Sequence, residues 1–270
     1  MTTNSPPSLA LRAASFVFAL ACLAGLVRLA YFSIFTHDPT NHSLIYYKWH
    51  WFKDENGDGV LDYWRLFRDG WLTTLGIAAI ALPLSSIIGV ALALARRSSI
   101  LPLSHAGSII VELARSTPLL VQIYLLFYII GTALHLENRL IAGSLILSLF
   151  EGAYISEIVR AGIQSVGQSQ LESARAIGLT SPQTYRYIIF PQALRQMLPS
   201  LAGQFVSIVK DSSLLSVVGL AELSRSASDV ATSTFTNFEC YLLISVGYLI
   251  ITLPISLWTQ RLERRLRYET

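Results

Sequence analysis

The sequence predicts an all-α integral membrane protein. Apolar residues make up 53% of the chain and charged residues 14%, and the mean hydropathy is +0.51, which is too high for a soluble domain of this size. Polar loops separate apolar stretches of about 20 residues, the length with which a helix crosses a bilayer. We therefore expect several membrane-spanning helices.

Six stretches are long and apolar enough to be spans: residues 13–35, 72–95, 117–134, 140–158, 197–220 and 241–258. The first follows Arg12 and also resembles a signal peptide, so a retained helix and a cleaved leader are both considered. The third lies in a longer apolar run, 101–134, where we expect Pro118 to kink or restart the helix, because proline lacks an N–H group and clashes with the preceding turn.

Arginines are concentrated on one side of this arrangement: Arg12, Arg96 and Arg97, then Arg160, Arg175, Arg186 and Arg195, and finally Arg261, Arg264, Arg265 and Arg267. On the other side, residues 37–69 carry six acidic and four basic residues, and the segment 222–239 is acidic. Short cytoplasmic loops carry the Lys/Arg excess. We therefore expect the arginine-rich side and both termini to be cytoplasmic.

The loop at 168–193 has the pattern of two short helices. Ser169 and Glu172 have the spacing of a capping box, and Gly178 is suited to the left-handed conformation at a helix end. Thr180, Ser181 and Pro182 then place a hydroxyl cap before a proline that starts a second helix, which we expect to end near Phe190 and Pro191. Taken alone, this pattern fits either an ordinary interhelical loop or a docking element.

A row of polar residues follows the fourth predicted span at steps of three: Glu151, Tyr154, Glu157 and Arg160. Residues at this spacing lie along one ridge of a helix. Ionisable groups in a span usually face a cavity or a partner, so we expect Glu151, Tyr154 and Glu157 to line a path. Arg160 has a simpler alternative, which is an ion pair with Glu157.

Other polar residues in or beside the spans each have two interpretations. Lys210 and Asp211 are either a gate or substrate contact, or an ion pair between helices. Glu112 and Arg115 form either a local salt bridge or a substrate contact. Gln122 hydrogen-bonds either a ligand or a neighbouring helix.

The sequence lacks the motifs of several enzyme classes. It contains no G-x-x-x-x-G-K-[ST] phosphate loop, no G-x-S-x-G elbow and no H-E-x-x-H helix, so we expect no ATP hydrolysis by the chain itself and no resident cofactor. The modest net charge of +3 follows from topology and gives no reason to expect nucleic-acid binding.

A weak calcium-loop pattern occurs at Asp54, Asn56, Asp58 and Asp62. The twelfth position is Arg65, where calcium loops carry a glutamate, so we expect weak affinity at best. An exposed Asn-Gly and Asp-Gly turn is the alternative.

The chain resembles the permease subunit of an ATP-binding-cassette (ABC) importer of the polar amino acid family. Glu172-Ser173-Ala174, Gly178 and Ile189-Phe190-Pro191 match the family's EAA loop, with serine where alanine is usual. Four further blocks carry the resemblance, at 71–75 (WLTTL), 112–122 (ELARSTPLLVQ), 153–160 (AYISEIVR) and 210–214 (KDSSL).

The resemblance implies a type I ABC importer transmembrane fold, with a five-helix core and one extra N-terminal helix. It divides the chain into a helix and periplasmic loop at 1–69, a permease domain at 70–262 and a basic cytoplasmic tail at 263–270. It also implies a bacterial inner-membrane location.

The resemblance further implies four kinds of partner: a second permease subunit, identical or paralogous; two ATP-binding subunits that use ATP and Mg²⁺; a periplasmic or extracellular amino-acid-binding protein; and the lipid bilayer. Coupling to the ATPase would involve Ser169, Glu172, Ser173, Ala174, Gly178, Ser181, Pro182 and Pro191. Substrate-path candidates are Glu151, Tyr154, Glu157, Gln122, Lys210 and Asp211. The competing hypothesis is a channel or secondary transporter that needs no ATPase.

Overall fold

The computed structural model describes residues 61–266, apart from 132, 134–137 and 235. The predicted first span at 13–35 and most of the calcium loop therefore lie outside the described residues, as does the end of the basic tail. The described residues belong to one compact unit, Leu61–Thr270. In this part of the chain every regular element is helical.

Nine α-helices make up the described part: α1 Leu61–Arg96, α2 Leu101–Ser116, α3 Leu119–Leu126, α4 Arg139–Gln164, α5 Gln168–Ala176, α6 Ser181–Thr184, α7 Phe190–Asp211, α8 Leu223–Thr234 and α9 Asn237–Leu266. A π-helical turn, Phe127–Gly131, extends α3, and a second, Tyr185–Ile189, joins α6 to α7. A 3₁₀ turn, Ser212–Val218, follows α7.

Within the described residues, four helical segments are long and apolar enough to cross a membrane: Tyr63–Arg96, Arg139–Gln164, Ser181–Val218 and Glu239–Glu263. The pair α2–α3 makes a fifth if the two helices are counted as one span. All five correspond to predicted spans, although α1 begins at Leu61, eleven residues before the predicted start at 72. It thus runs without interruption through the predicted domain boundary at residue 70.

The predicted break at Pro118 is confirmed, because α2 and α3 are bent by 115° there. Thr117 is extended, with φ −119° and ψ 147°, as expected of a residue before proline. The side-chain amide of Gln122 donates to the carbonyl oxygens of Ala114 (2.7 Å) and Thr117 (3.1 Å). It therefore satisfies carbonyl groups that the end of α2 leaves without helical partners.

Helices α1 and α4 form the centre of the bundle, and two glycines let them approach closely. A Cβ atom on Gly89 would lie 2.5 Å from Ile155 Cγ2, and one on Gly152 would lie 2.6 Å from Ile88 Cγ2. Small residues at a helix crossing are typical of packing within membranes. This crossing fixes α4, which carries the predicted polar ridge, against α1.

Helix α8 is not among the predicted elements, since the only expectation for residues 222–239 is an acidic segment on the side opposite the arginines. Its first turn is capped by the buried Glu222, whose carboxylate accepts from the N–H groups of Ser224 (2.9 Å) and Arg225 (2.8 Å). The same carboxylate accepts from the Tyr248 hydroxyl at 2.8 Å. Glu222 thus fixes α8 to α9 at the end of the bundle opposite the arginine-rich loops.

Candidate functional site

Glu151 lies in the interior of the described bundle, with no exposed surface. One carboxylate oxygen accepts from the side-chain amide of Gln204 on α7, and the other has no hydrogen-bond partner among the described residues. The carboxyl group of Asp211, the last residue of α7, lies beside it. A buried carboxyl with a free oxygen and an acidic neighbour is suited to binding a cationic group.

Tyr154, one turn further along α4, is half-buried. Its ring packs against Phe150 with centroids 5.0 Å apart, and the Arg115 guanidinium lies 5.8 Å from its centroid. Cation–π contacts of this kind hold a cation over an aromatic face. Tyr154 therefore links the interior of the bundle to the charged groups near its arginine-rich end.

Glu157 is the shared partner of three arginines from three helices. Its Oε1 lies 2.7 Å from Arg96 Nη1 on α1 and 3.2 Å from Arg115 Nη1 on α2, and its Oε2 lies 2.7 Å from Arg160 Nη2 on α4. The ion pair between Glu157 and Arg160, which was the alternative considered for Arg160, is formed. We call Glu157 and these three arginines the Glu157 cluster.

The salt bridge considered between Glu112 and Arg115 is not formed. Arg115 turns instead towards Glu157, while Glu112 accepts from the Ser116 hydroxyl at 3.4 Å. The physical reason is that Glu157 lies closer to the bundle interior, where an ion pair is less screened by salt than on the exposed face of α2. Glu157 also pairs with Arg96 and Arg160 there.

The adjacent residues Lys210 and Asp211 face different surroundings. Lys210 is exposed and forms no salt bridge within the described residues, whereas Asp211 is half-buried beside Glu151. Gln122 hydrogen-bonds the end of α2 at the bend between α2 and α3, as described above. Of its two interpretations, contact with a neighbouring helix is therefore the one that the structure shows. The structure therefore brings Asp211 to Glu151 but places Gln122 elsewhere.

Helix α5 begins one residue before the predicted capping box. Its N-cap is Gly167, and no side chain caps its first turn, so the prediction that Ser169 and Glu172 form a capping box is wrong. Because Gly167 ends the preceding loop and Gln168 is already helical, Ser169 lies inside the helix and cannot act as its cap. In the motif Glu172-Ser173-Ala174, the alanine is buried and the other two side chains are exposed.

Gly178 ends α5 as predicted, with φ +82°. The N–H of Gly178 bonds to the Arg175 carbonyl at 3.0 Å, and the N–H of Leu179 bonds to the Ala174 carbonyl at 3.0 Å. This pair of bonds is the Schellman motif, which requires a left-handed residue at the corner. The neighbouring Ile177 is 74% exposed and forms an apolar tip beside the corner.

The second short helix is capped by Thr180, one residue earlier than predicted, and Pro182 occupies its second position. Gln183 completes the turn, since its side-chain oxygen accepts from the Thr180 N–H at 2.9 Å. A capping interaction of the predicted type is thus present in the second helix instead of the first.

The prediction that the second short helix ends near Phe190 and Pro191 is wrong. It continues through the π turn Tyr185–Ile189 into α7, and the Phe190 N–H bonds to the Tyr185 carbonyl, five residues earlier. The wider π turn accommodates Pro191, which lacks an N–H group and would clash in a regular α-helix. We call residues 168–190 the docking element; its second half is continuous with a span.

Three residues of these sites were not assigned a role from the sequence: Gln204, Arg96 and Tyr185. Gln204 precedes Asp211 by seven residues, two helical turns on the same face, and this spacing could have identified it. In the sequence, Arg96 indicates only the side of the membrane on which its loop lies. No local pattern indicated that Tyr185 would receive a hydrogen bond from Arg97 Nη2, at 2.8 Å.

The described residues contain no group of three His, Cys, Asp or Glu side chains arranged to hold a metal ion. Asp54, Asn56 and Asp58 of the calcium loop, and the side chain of Asp62, lie outside the description. Calcium binding there stays a prediction.

The chain is similar to known proteins of one transport family. Residues 85–268 match the family described as binding-protein-dependent transport system inner membrane component. The probable glutamine ABC transporter permease protein GlnM of Bacillus subtilis is 37% identical over 207 residues, which cover 77% of this chain and 96% of GlnM. The glutamate/aspartate import permease protein GltK of Escherichia coli is 37% identical over 206 residues, covering 73% and 92%.

Among solved structures, an amino acid ABC transporter crystallised with histidines is similar to this chain. The TM-score is 0.70 and the sequence identity 34%, and the match covers 79% of this chain and all of the other.

Proposed function

Because the chain belongs to the family of binding-protein-dependent transport system inner membrane components and is the permease subunit of an amino acid ABC importer, we propose that it forms half of a path whose cation-binding group is Glu151. The ATP-independent channel or secondary transporter is not favoured, since the relatives are ABC importer permeases. Membership of this family implies that an ATPase and a binding protein are partners of the chain.

The proposed complex contains two permease subunits, identical or paralogous, and two ATP-binding subunits. ATP and Mg²⁺ bind to the ATP-binding subunits, and this chain supplies no catalytic group. The docking element is the proposed contact with the ATPase, because the Schellman bonds hold its corner at Gly178 and its exposed surface includes Ile177. Co-purification of the chain with an ATP-binding subunit, and its loss when residues 168–190 are altered, tests this assignment.

The observation that carries the path proposal is the free carboxylate oxygen of Glu151. An amino acid carries an ammonium group at neutral pH, and the Glu151 and Asp211 carboxyl groups together supply acceptors for it. Since Glu151 is enclosed between α4 and α7 in this conformation, substrate reaches it only when these helices separate. Such separation is a rigid-body movement of the kind that importers use for alternating access.

Glu151→Gln is expected to raise the amino acid concentration for half-maximal uptake about tenfold without loss of assembly. Glutamine preserves the size of the side chain and its contact with Gln204 but replaces one oxygen acceptor with an amide nitrogen, which cannot accept from an ammonium group. A hydrogen bond to a charged group contributes about 1.5–3 kcal/mol. The measurement is ATP-driven uptake of a panel of labelled polar amino acids into proteoliposomes. Glu263→Gln, the same change at an exposed position near the end of α9, is the matched control. Unchanged uptake kinetics in a normally assembled Glu151→Gln complex would show that Glu151 does not contact substrate.

We also propose that the arginine-rich end, including the docking element, is cytoplasmic and that both termini lie there. In a variant lacking native cysteines, Gln170→Cys and Asp229→Cys are both exposed positions at opposite ends of the bundle. A membrane-impermeant maleimide added to intact cells should label only Asp229→Cys, and lysis should expose Gln170→Cys. Labelling of Gln170→Cys in intact cells would reverse the proposed orientation.

A further inference from the structure

The docking element is joined to the end of α1 by a side-chain hydrogen bond. Arg97 Nη2 donates to the Tyr185 hydroxyl at 2.8 Å, across 88 residues of sequence. Tyr185 begins the π turn that joins α6 to α7. Any displacement of this turn by a partner is therefore applied directly to Arg97.

Arg96, the residue before Arg97, is turned into the bundle. It donates to Glu157 at 2.7 Å, and its own carbonyl accepts from the Ser104 hydroxyl on α2 at 2.9 Å. Arg96 is the last residue of α1 and Arg97 is the first residue of the turn that follows it. One short stretch of backbone therefore places Arg97 on the docking element and Arg96 in the Glu157 cluster, so that the two contacts share one backbone support.

The Glu157 cluster is built so that one contact can open without leaving the carboxylate unpaired. Removing the partner of a buried ion leaves an uncompensated charge, which is strongly unfavourable. Here Arg96 and Arg160 remain if Arg115 departs. Arg115 has the longest of the three separations, 3.2 Å, and the most exposed side chain, at 40%. It also lies over the ring of Tyr154, one turn from Glu151.

We propose that Tyr185, Arg97, Arg96 and Glu157 form a relay that transmits movement of the docking element to Arg115 on α2 and so to Tyr154 in the path. These are positioning residues, since none of the four is required to touch the substrate. The relay rests on the proposed function. It adds a specific route from the docking element to the substrate path. Arg115 is the member of the Glu157 cluster that can separate from Glu157.

The test is the number of ATP molecules hydrolysed per amino acid imported by the complete complex in proteoliposomes, with the labelled amino acid that the parent complex imports best. Tyr185→Phe and Arg97→Gln should each raise this ratio at least threefold, because hydrolysis continues while its transmission weakens. The double variant should be no worse than the stronger single variant, since both remove the same hydrogen bond. Tyr241→Phe and Arg225→Gln, at exposed positions at the other end of the bundle, should leave the ratio unchanged.

Parental ratios in both single variants would overturn the relay, and so would effects that multiply in the double variant. A parent complex that imports no amino acid on addition of ATP would instead refute the proposed function. The two failures are therefore distinguishable within one set of preparations.

Discussion

Gly178→Val is expected to reduce ATP-driven uptake by about tenfold or more while the amount of protein in the membrane stays near normal. Gly178 has φ +82°, a conformation that costs a residue with a Cβ roughly 1–2 kcal/mol, and branching at Cβ adds to the strain. The Schellman corner would relax and α5 would turn away from its partner. A change of about 1.4 kcal/mol corresponds to a factor of ten in an equilibrium constant. Quantitative immunoblotting and uptake assays on the same vesicles measure both quantities.

A glycine elsewhere in the chain supplies a control for this experiment. A Cβ atom added at Gly178 or at Gly203 would meet no neighbouring group within 4 Å. Of these two glycines, Gly178 has a positive φ and Gly203 does not. Gly178→Ala should therefore reduce uptake several-fold, and Gly203→Ala should not. Equal uptake by the two alanine variants would show that the conformation of the corner is irrelevant to transport.

Glu157→Gln is expected to destabilise the assembled complex measurably. It leaves Arg96, Arg115 and Arg160 without their shared carboxylate, so three cations repel one another near the membrane surface. Removing one partner of a fully buried ion pair costs about 3–5 kcal/mol, whereas an exposed ion pair contributes about 0–1 kcal/mol. We expect about 1–3 kcal/mol here, because Glu157 is half-buried and the Arg115 and Arg160 side chains are 40% and 36% exposed. The readouts are the yield and the thermal unfolding midpoint of the purified complex.

Arg160→Gln is the matched comparison for Glu157→Gln. It also breaks an ion pair of the cluster, but it leaves Glu157 with two arginines and reduces the excess of positive charge. Its unfolding midpoint should remain close to that of the parent. If Arg160→Gln were as destabilising as Glu157→Gln, the carboxylate would not be the centre of the cluster.

The spans and the break at Pro118 were predictable because they depend on local properties, namely hydropathy over about 20 residues and the geometry of proline. The corner at Gly178 was predictable for the same reason. Cap positions are harder to predict, because a shift of one residue decides whether Ser169 precedes the helix or lies within it. The π turn before Pro191 was missed because proline normally predicts a helix end, and a π turn removes the clash on which that rule depends.

Helix α8 was missed because it is only 12 residues long and polar on average, so a search for apolar stretches of spanning length does not find it. Its buried positions, Leu223, Ser226, Ala227, Val230, Ala231 and Thr234, do have helical spacing. The Glu157 cluster was only half predictable. The pair with Arg160 follows from a spacing of three residues. Arg96 and Arg115 reach Glu157 only because separate helices pack together, and no pattern in the local sequence predicts that packing.

The most direct test of the account is uptake by the purified chain reconstituted with its ATP-binding subunits and binding protein. We expect a labelled polar amino acid to accumulate in proteoliposomes only when ATP, Mg²⁺ and the binding protein are all supplied. We also expect this uptake to remain intact when ion gradients are collapsed. Accumulation driven by an ion gradient in vesicles that contain this chain alone would contradict it.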